Sequence, residues 1–167
     1  MAKLKNLEDL FHDTLKDVYY AERKIYKSLP KMIKAAQSDD LRAGFEKHRA
    51  ETEGHIERLQ QVFDLLGKPA RAKTCDAIEG ILTEAEEIIA DFSDTAALDA
   101  GLISSAQAVE HYEITRYGTL HRWATVLGMT EAATLLQSTL DEEYKTDDAL
   151  TAMADAGINR HAEKEAA

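Results

Sequence analysis

The chain has 167 residues, 44% hydrophobic and 31% charged, enough to bury a substantial core in one compact domain. A formal net charge of −11 disfavours nucleic acid as a direct partner, and no apolar run approaches the roughly 20 residues of a membrane span. The opening Met1-Ala2-Lys3-Leu4-Lys5 lacks the apolar stretch of a signal peptide, and Cys75, the single cysteine, excludes an intramolecular disulfide, so a cytoplasmic location is expected.

Two prolines, eight glycines and many Ala, Leu, Glu and Lys favour an all-α fold. Asn6 with Asp9 three residues on reads as a helix start, and apolar spacing continues to about residue 36 with an expected kink at Pro30. Ser38-Asp39-Asp40 is the expected cap of a second helix, over 39–66, which Gly67 and Pro69 stop. A shorter helix follows over about 74–91. Ser93-Asp94 is the expected cap of a third long helix over 95–127, ended by Gly128, and Thr130 opens the last, over 130–156. From Ile158 the tail is polar and expected to fray.

Each long helix spans roughly 40 to 50 Å at about 1.5 Å per residue. Helices of matched length suit a bundle, and the link from Gly67 to Ser93 is long enough to cross it from end to end. The expected architecture is a ferritin-like four-helix bundle with a long crossover containing a short extra helix, in one domain over 1–167.

The core-facing seams carry the chemical information. The first reads Phe11, Leu15, Val18, Glu22, Ile25, Leu29, Met32; the second Phe45, His48, Glu51 or Thr52, His55, Leu59, Val62. The third reads Ile103, Ala106, Glu110, Glu113, Tyr117, Leu120, and the last Leu136, Leu140, Glu143, Asp147, Leu150. All four are apolar at both ends and acidic or imidazole-bearing in the middle. Glu22, Glu51, Glu110 and Glu143 each lie near the midpoint of their helix, so six carboxylates are expected in one layer with two histidines beside them.

Unpaired buried carboxylates cost several kcal/mol each, so this layer requires neutralisation. Two divalent ions supply four positive charges, and oxygen-rich sites with imidazole suit iron or manganese, with zinc an alternative. The rival is a polar layer in which Arg49, Arg58 and Arg116 pair with the acids. The common bundle pattern Glu-x-x-His is broken here, because Gly54 stands where the histidine is required and His55 follows Glu51 by four. At most one of His48 and His55 is expected to bind; His55 enters the candidate set and His48 stays open beside it. His111 reads as structural or outlying, and His12, His121 and His161 as surface residues. Tyr117 reads as a packed core residue or a neighbour of the ligands.

The segments His48-Arg-Ala-Glu51-Thr52, Val109-Glu110-His111-Tyr112-Glu113-Ile114 and Tyr117-Gly118-Thr119-Leu120 resemble the bacterial YciE/YciF family of ferritin-like proteins. So do Leu7-Glu8-Asp9-Leu10-Phe11 and the stretch from Leu140 to Asp147. The resemblance covers nearly the whole chain and implies a stress-associated cytoplasmic protein with a rubrerythrin-like core, often a homodimer. It also implies metal ligands at Glu22, Glu51, Glu110, Glu113, Glu143 and Asp147. On this basis the chain is expected to hold two iron ions and to oxidise Fe(II) or reduce peroxide, with Glu51 and Glu143 as bridging carboxylates. The alternative is a non-catalytic structural dimer with a vestigial acidic layer. A Cys-x-x-Cys rubredoxin-like module is missing, which argues against a full rubrerythrin peroxidase.

Overall fold

A computed structural model describes residues 4–164. Six α-helices form: α1 (Leu7–Ala35), α2 (Asp39–Leu65), α3 (Asp76–Phe92), α4 (Leu98–Val126), α5 (Thr130–Met153) and the short α6 (Asn159–Lys164). No strand occurs among the described residues.

Local chemistry sets the helix ends. Asn6 and Asp9 form a reciprocal capping box, each side chain accepting the other's backbone N–H at 3.0 Å. α1 continues through Pro30 to Ala35. Ser38 caps α2 by accepting the Leu41 N–H. At the other end of α2, Gly67 has φ 64°, and the N–H groups of Gly67 and Lys68 return to the carbonyls of Asp64 and Phe63. Gly128, at φ 73°, ends α4 in the same way, with Met129 N–H on Ala124. These are paired Schellman closures, in which a left-handed residue satisfies the last carbonyls without a Cβ penalty.

The third long helix starts later than the sequence suggests. Ser93 and Asp94 lie in a turn, and α4 begins at Leu98 behind Ala97, with no side-chain cap. The acid that matters here is Asp99. It is buried, and it accepts the backbone N–H of Gln37 at 2.8 Å and of Ser38 at 2.7 Å. Those bonds bind the start of α4 to the α1–α2 turn. The crossover has therefore carried the chain back along the bundle, and α4 runs parallel to α2. α1, α2, α5 and α4 close a four-helix ring, while α3 packs outside against α4 and α1.

The last helix also departs from expectation. Regular α-helix runs to Met153, the backbone breaks helical geometry at Gly157, and the short α6 continues to Lys164 where fraying was expected. No helix among the described residues is long and apolar enough to cross a membrane.

Two apolar clusters fill the bundle. One gathers Ile25, Leu29, Phe45, Leu102 and Leu150, and the other Phe11, Leu15, Leu59, Phe63 and Leu136. Between them lies the polar layer.

Candidate metal centre

Each ring helix contributes to this layer at mid-length. α1 supplies Glu22; α2 supplies His48, Thr52 and His55; α4 supplies Glu110, Glu113 and Tyr117; α5 supplies Glu143, all of them buried. Their spacings of three and four keep them on the inward stripe of their helices.

The donor atoms fall into two groups, within each of which they lie no more than 4.8 Å apart. One is His48, Glu110, Glu113 and Glu143; the other is Glu22, His55 and Glu143. Glu143 belongs to both. His55 Nδ1 lies 3.1 Å from Glu143 Oε1 and 3.3 Å from Glu22 Oε1, and His48 Nε2 lies 3.3 Å from Glu110 Oε1. These are close approaches rather than aligned hydrogen bonds. Glu22, His48, His55, Glu110, Glu113 and Glu143 each keep at least one buried polar atom without a hydrogen-bond partner, and both oxygens of Glu113 and of Glu143 are in that state. Native interiors pair nearly all such atoms, so six deficient side chains around one point form a group that could hold a cation.

Neighbouring groups hold the layer in place. Tyr117 donates its hydroxyl to Glu22 Oε1 at 2.5 Å. His55 Nε2 meets Glu142 Oε2 at 2.9 Å, and Arg58 grips both oxygens of Glu142 at 2.8 Å. This His55–Glu142–Arg58 chain fixes the imidazole plane and points Nδ1 inward, as outlying carboxylates do for metal-binding histidines. Thr52 donates to the His48 backbone carbonyl, and both His48 ring nitrogens are buried without a hydrogen-bond partner.

Without a cation, protons balance the charge. Burial, then Glu143, pushes Glu110 and Glu113 well above the ordinary carboxylate range. Burial opposes charge on His55, but Glu22 and Glu143 overcome it and raise the imidazole to about 11. Burial likewise resists ionisation of Glu143, and its contact with His55 nevertheless holds that carboxyl low. Burial lowers His48 and keeps it neutral, the form that donates a lone pair. The short approach of His48 to Glu110 is therefore not an ion pair.

Two sequence-derived candidates stand outside both donor groups. Glu51 lies beside the layer, with Oε1 on Lys47 Nζ at 2.6 Å and Oε2 buried and unpartnered. Asp147 is turned toward α4, where Gln107 Nε2 lies at 3.1 Å and the exposed His111 Nε2 at 3.2 Å. The helix turn explains the first. At about 100° per residue, Thr52 takes the inward position between His48 and His55, and Glu51 is rotated to the flank. His48, left open in the sequence, is inside the layer together with His55. Glu142 was not foreseen; its only signal is Arg58, three residues after His55 and so on the same helical flank.

The arginines expected by the rival reading are engaged elsewhere. Arg58 holds Glu142, Arg49 lies 4.6 Å over the Tyr26 ring and Arg116 lies 5.3 Å over the Tyr112 ring. Among the described residues none of the three is ion-paired to Glu22, Glu110, Glu113 or Glu143.

Comparison with known proteins agrees with this architecture. Residues 6–163 match the family model described as a domain of unknown function, DUF892. Protein YciF of Escherichia coli K12 is 42% identical over 165 residues, covering 98% of this chain and 99% of that one. The crystal structure of the E. coli stress protein YciF superposes with a TM-score of 0.89 at 41% identity, over 93% of this chain and 99% of that one. YcfI of Rhodopseudomonas palustris gives 0.87 at 44% identity, over 90% and 96%. A Xanthomonas campestris protein at 21% identity and TM-score 0.76 shares the fold.

Proposed function

The chain belongs to the DUF892 family, and from that premise we propose that it is a di-metal carboxylate protein, with iron as the metal. The observation that carries this is the convergence of six buried side chains with unpartnered donor atoms on one point of the bundle. Four carboxylates, Glu22, Glu110, Glu113 and Glu143, balance the charge of two divalent cations, and the neutral imidazole of His48 and the oriented one of His55 complete a mixed O and N set. Manganese and zinc share this donor chemistry and are the alternatives.

In this reading Glu143, common to both groups, would help to hold both ions. Glu22 and His55 hold one position; His48, Glu110 and Glu113 hold the other. Tyr117 keeps Glu22 in its rotamer, Glu142 and Arg58 keep His55 in its own, and the apolar clusters on either side exclude bulk water. Iron held by these residues would supply the electrons for reducing dioxygen or peroxide. The homodimer implied by the family resemblance belongs to the same proposal.

The structural reading in which arginines pair with the acids finds no such pair: among the described residues Arg49, Arg58 and Arg116 make no ion pair with Glu22, Glu110, Glu113 or Glu143. The two readings separate on anaerobic loading with Fe(II) followed by mixing with peroxide or dioxygen, with iron oxidation followed by absorbance. Oxidation faster than in Glu143→Ala supports the proposal. Bound iron oxidised no faster than free iron leaves a binding role alone.

A further inference from the structure

Beside the acidic layer the bundle is incompletely filled. A cavity of about 200 Å³ lies among α1 to α5, walled chiefly by Ile25, Leu29, Met32, Phe45, Val109 and Leu150. Its inner end is His48 and Glu110, whose unpartnered atoms, both His48 ring nitrogens and Glu110 Oε2, are buried. Its mouth lies between α2 and α5, where the lining residues Lys47 and Ala149 are exposed.

The wall chemistry selects the occupant. Interiors pack to crystal density, and an apolar void of this size forfeits dispersion contacts that a guest restores. An engineered apolar cavity of about 150 Å³ stays dry and binds benzene, so this one holds about eight carbon atoms. A hydrated cation gains nothing from such a wall and loses its water shell on the way in. An anionic head group is also disfavoured: Lys47 is already paired with Glu51 at 2.6 Å, and the inner end is acidic. What remains is an uncharged aliphatic molecule with one small oxygen function that faces the polar inner end.

We propose that this cavity binds a neutral aliphatic alcohol or aldehyde of about eight carbons, with its oxygen toward the end lined by His48 and Glu110 and its chain along the apolar wall. The inference deepens the metal reading by naming a ligand class for the centre. It rests on that reading only for what lies at the inner end.

The test is calorimetric titration of 1-octanol and of octanoate into metal-free protein, with iron content after anaerobic reconstitution measured on the same preparations. Saturable one-to-one binding of octanol, with octanoate at least about tenfold weaker, supports the proposal. Ala106→Phe fills the cavity from α4 and abolishes octanol binding. Leu150→Ala enlarges it and shifts preference toward 1-decanol, which keeps the test decisive if the filled variant does not fold. Lack of saturation in the wild type, equal binding of octanoate, or undiminished binding in folded Ala106→Phe overturns the cavity assignment. Iron retained without octanol binding defeats only the cavity; octanol binding without retained iron defeats only the metal reading.

Discussion

Glu143 Oε1 stands 3.1 Å from His55 Nδ1, deep between α5 and α2, and neither atom has an aligned hydrogen-bond partner. A buried ion pair of this kind, with every surrounding carboxyl short of donors, is costly unless a cation completes it. Glu143 also sits in both donor groups, so it is the side chain on which the two proposed metal positions depend.

Glu143→Gln therefore removes both positions. Expected is loss of nearly all bound iron with helix content unchanged. Glu51→Gln and Asp147→Asn, whose residues lie outside the groups, keep the wild-type stoichiometry. Metal analysis with circular dichroism on the three variants checks this, and equal losses in all three would restore the ligand set implied by the family resemblance.

Glu142 acts through His55 rather than on a metal. Glu142→Gln keeps the side-chain shape but weakens the bonds that orient the imidazole and frees Arg58. Iron affinity falls by about 10- to 100-fold, the usual consequence of losing an outlying carboxylate, while stoichiometry at saturation is unchanged. Competition with a chelator reads the difference.

Metal-free protein has an inverted pH profile. Glu110 and Glu113 are raised above their ordinary 4.5, so the folded state retains protons that the unfolded chain sheds. The stability they contribute is full below about pH 4.5 and is lost as pH rises. His55 acts with the same sign: its contribution is full below 6.5 and declines as pH climbs to about 11. Glu142, held low mainly by Arg58, has the opposite sign and loses its contribution on acidification below 4.5. The urea midpoint of the metal-free protein is therefore higher near pH 5.5 than at pH 8. Iron takes the place of those protons, so the loaded protein shows no such decline and binding releases protons. Parallel denaturation series, with and without iron, decide it.

Among the described residues the Tyr117 hydroxyl supplies the hydrogen bond that holds Glu22. Tyr117→Phe costs the metal-free protein about 1–3 kcal/mol in urea unfolding, the range for depriving a buried acceptor, and keeps its iron stoichiometry.

Asp99 bears on the fold alone. Asp99→Ala strips the caps from two backbone N–H groups in the α1–α2 turn and lowers stability by about 3 kcal/mol, with iron binding intact. Equilibrium unfolding beside metal analysis separates this effect from any on the centre.

The sequence disclosed the bundle because its signals are periodic and redundant: acids at the midpoints of apolar seams, with glycines closing α2 and α4. Glu22, Glu110, Glu113, Glu143 and His55 were legible for that reason. The layer's edges were not. Glu51 and Thr52 differ by one step of the helix, and only packing decides which faces inward; Asp147 sits at a similar margin and finds partners on α4. Glu142 and Asp99 are single acids whose partners are 84 and 62 residues away, a relation that no local pattern contains. The tail read as polar and frayed, yet helical backbone resumes at Asn159, beyond a break at Gly157.

The most direct measurement is metal content by mass spectrometry on untagged protein reconstituted anaerobically with Fe(II) and desalted. About two irons per chain, falling to near zero in Glu143→Ala, is the predicted result. A wild-type chain that retains no iron under these conditions would contradict the account at its centre.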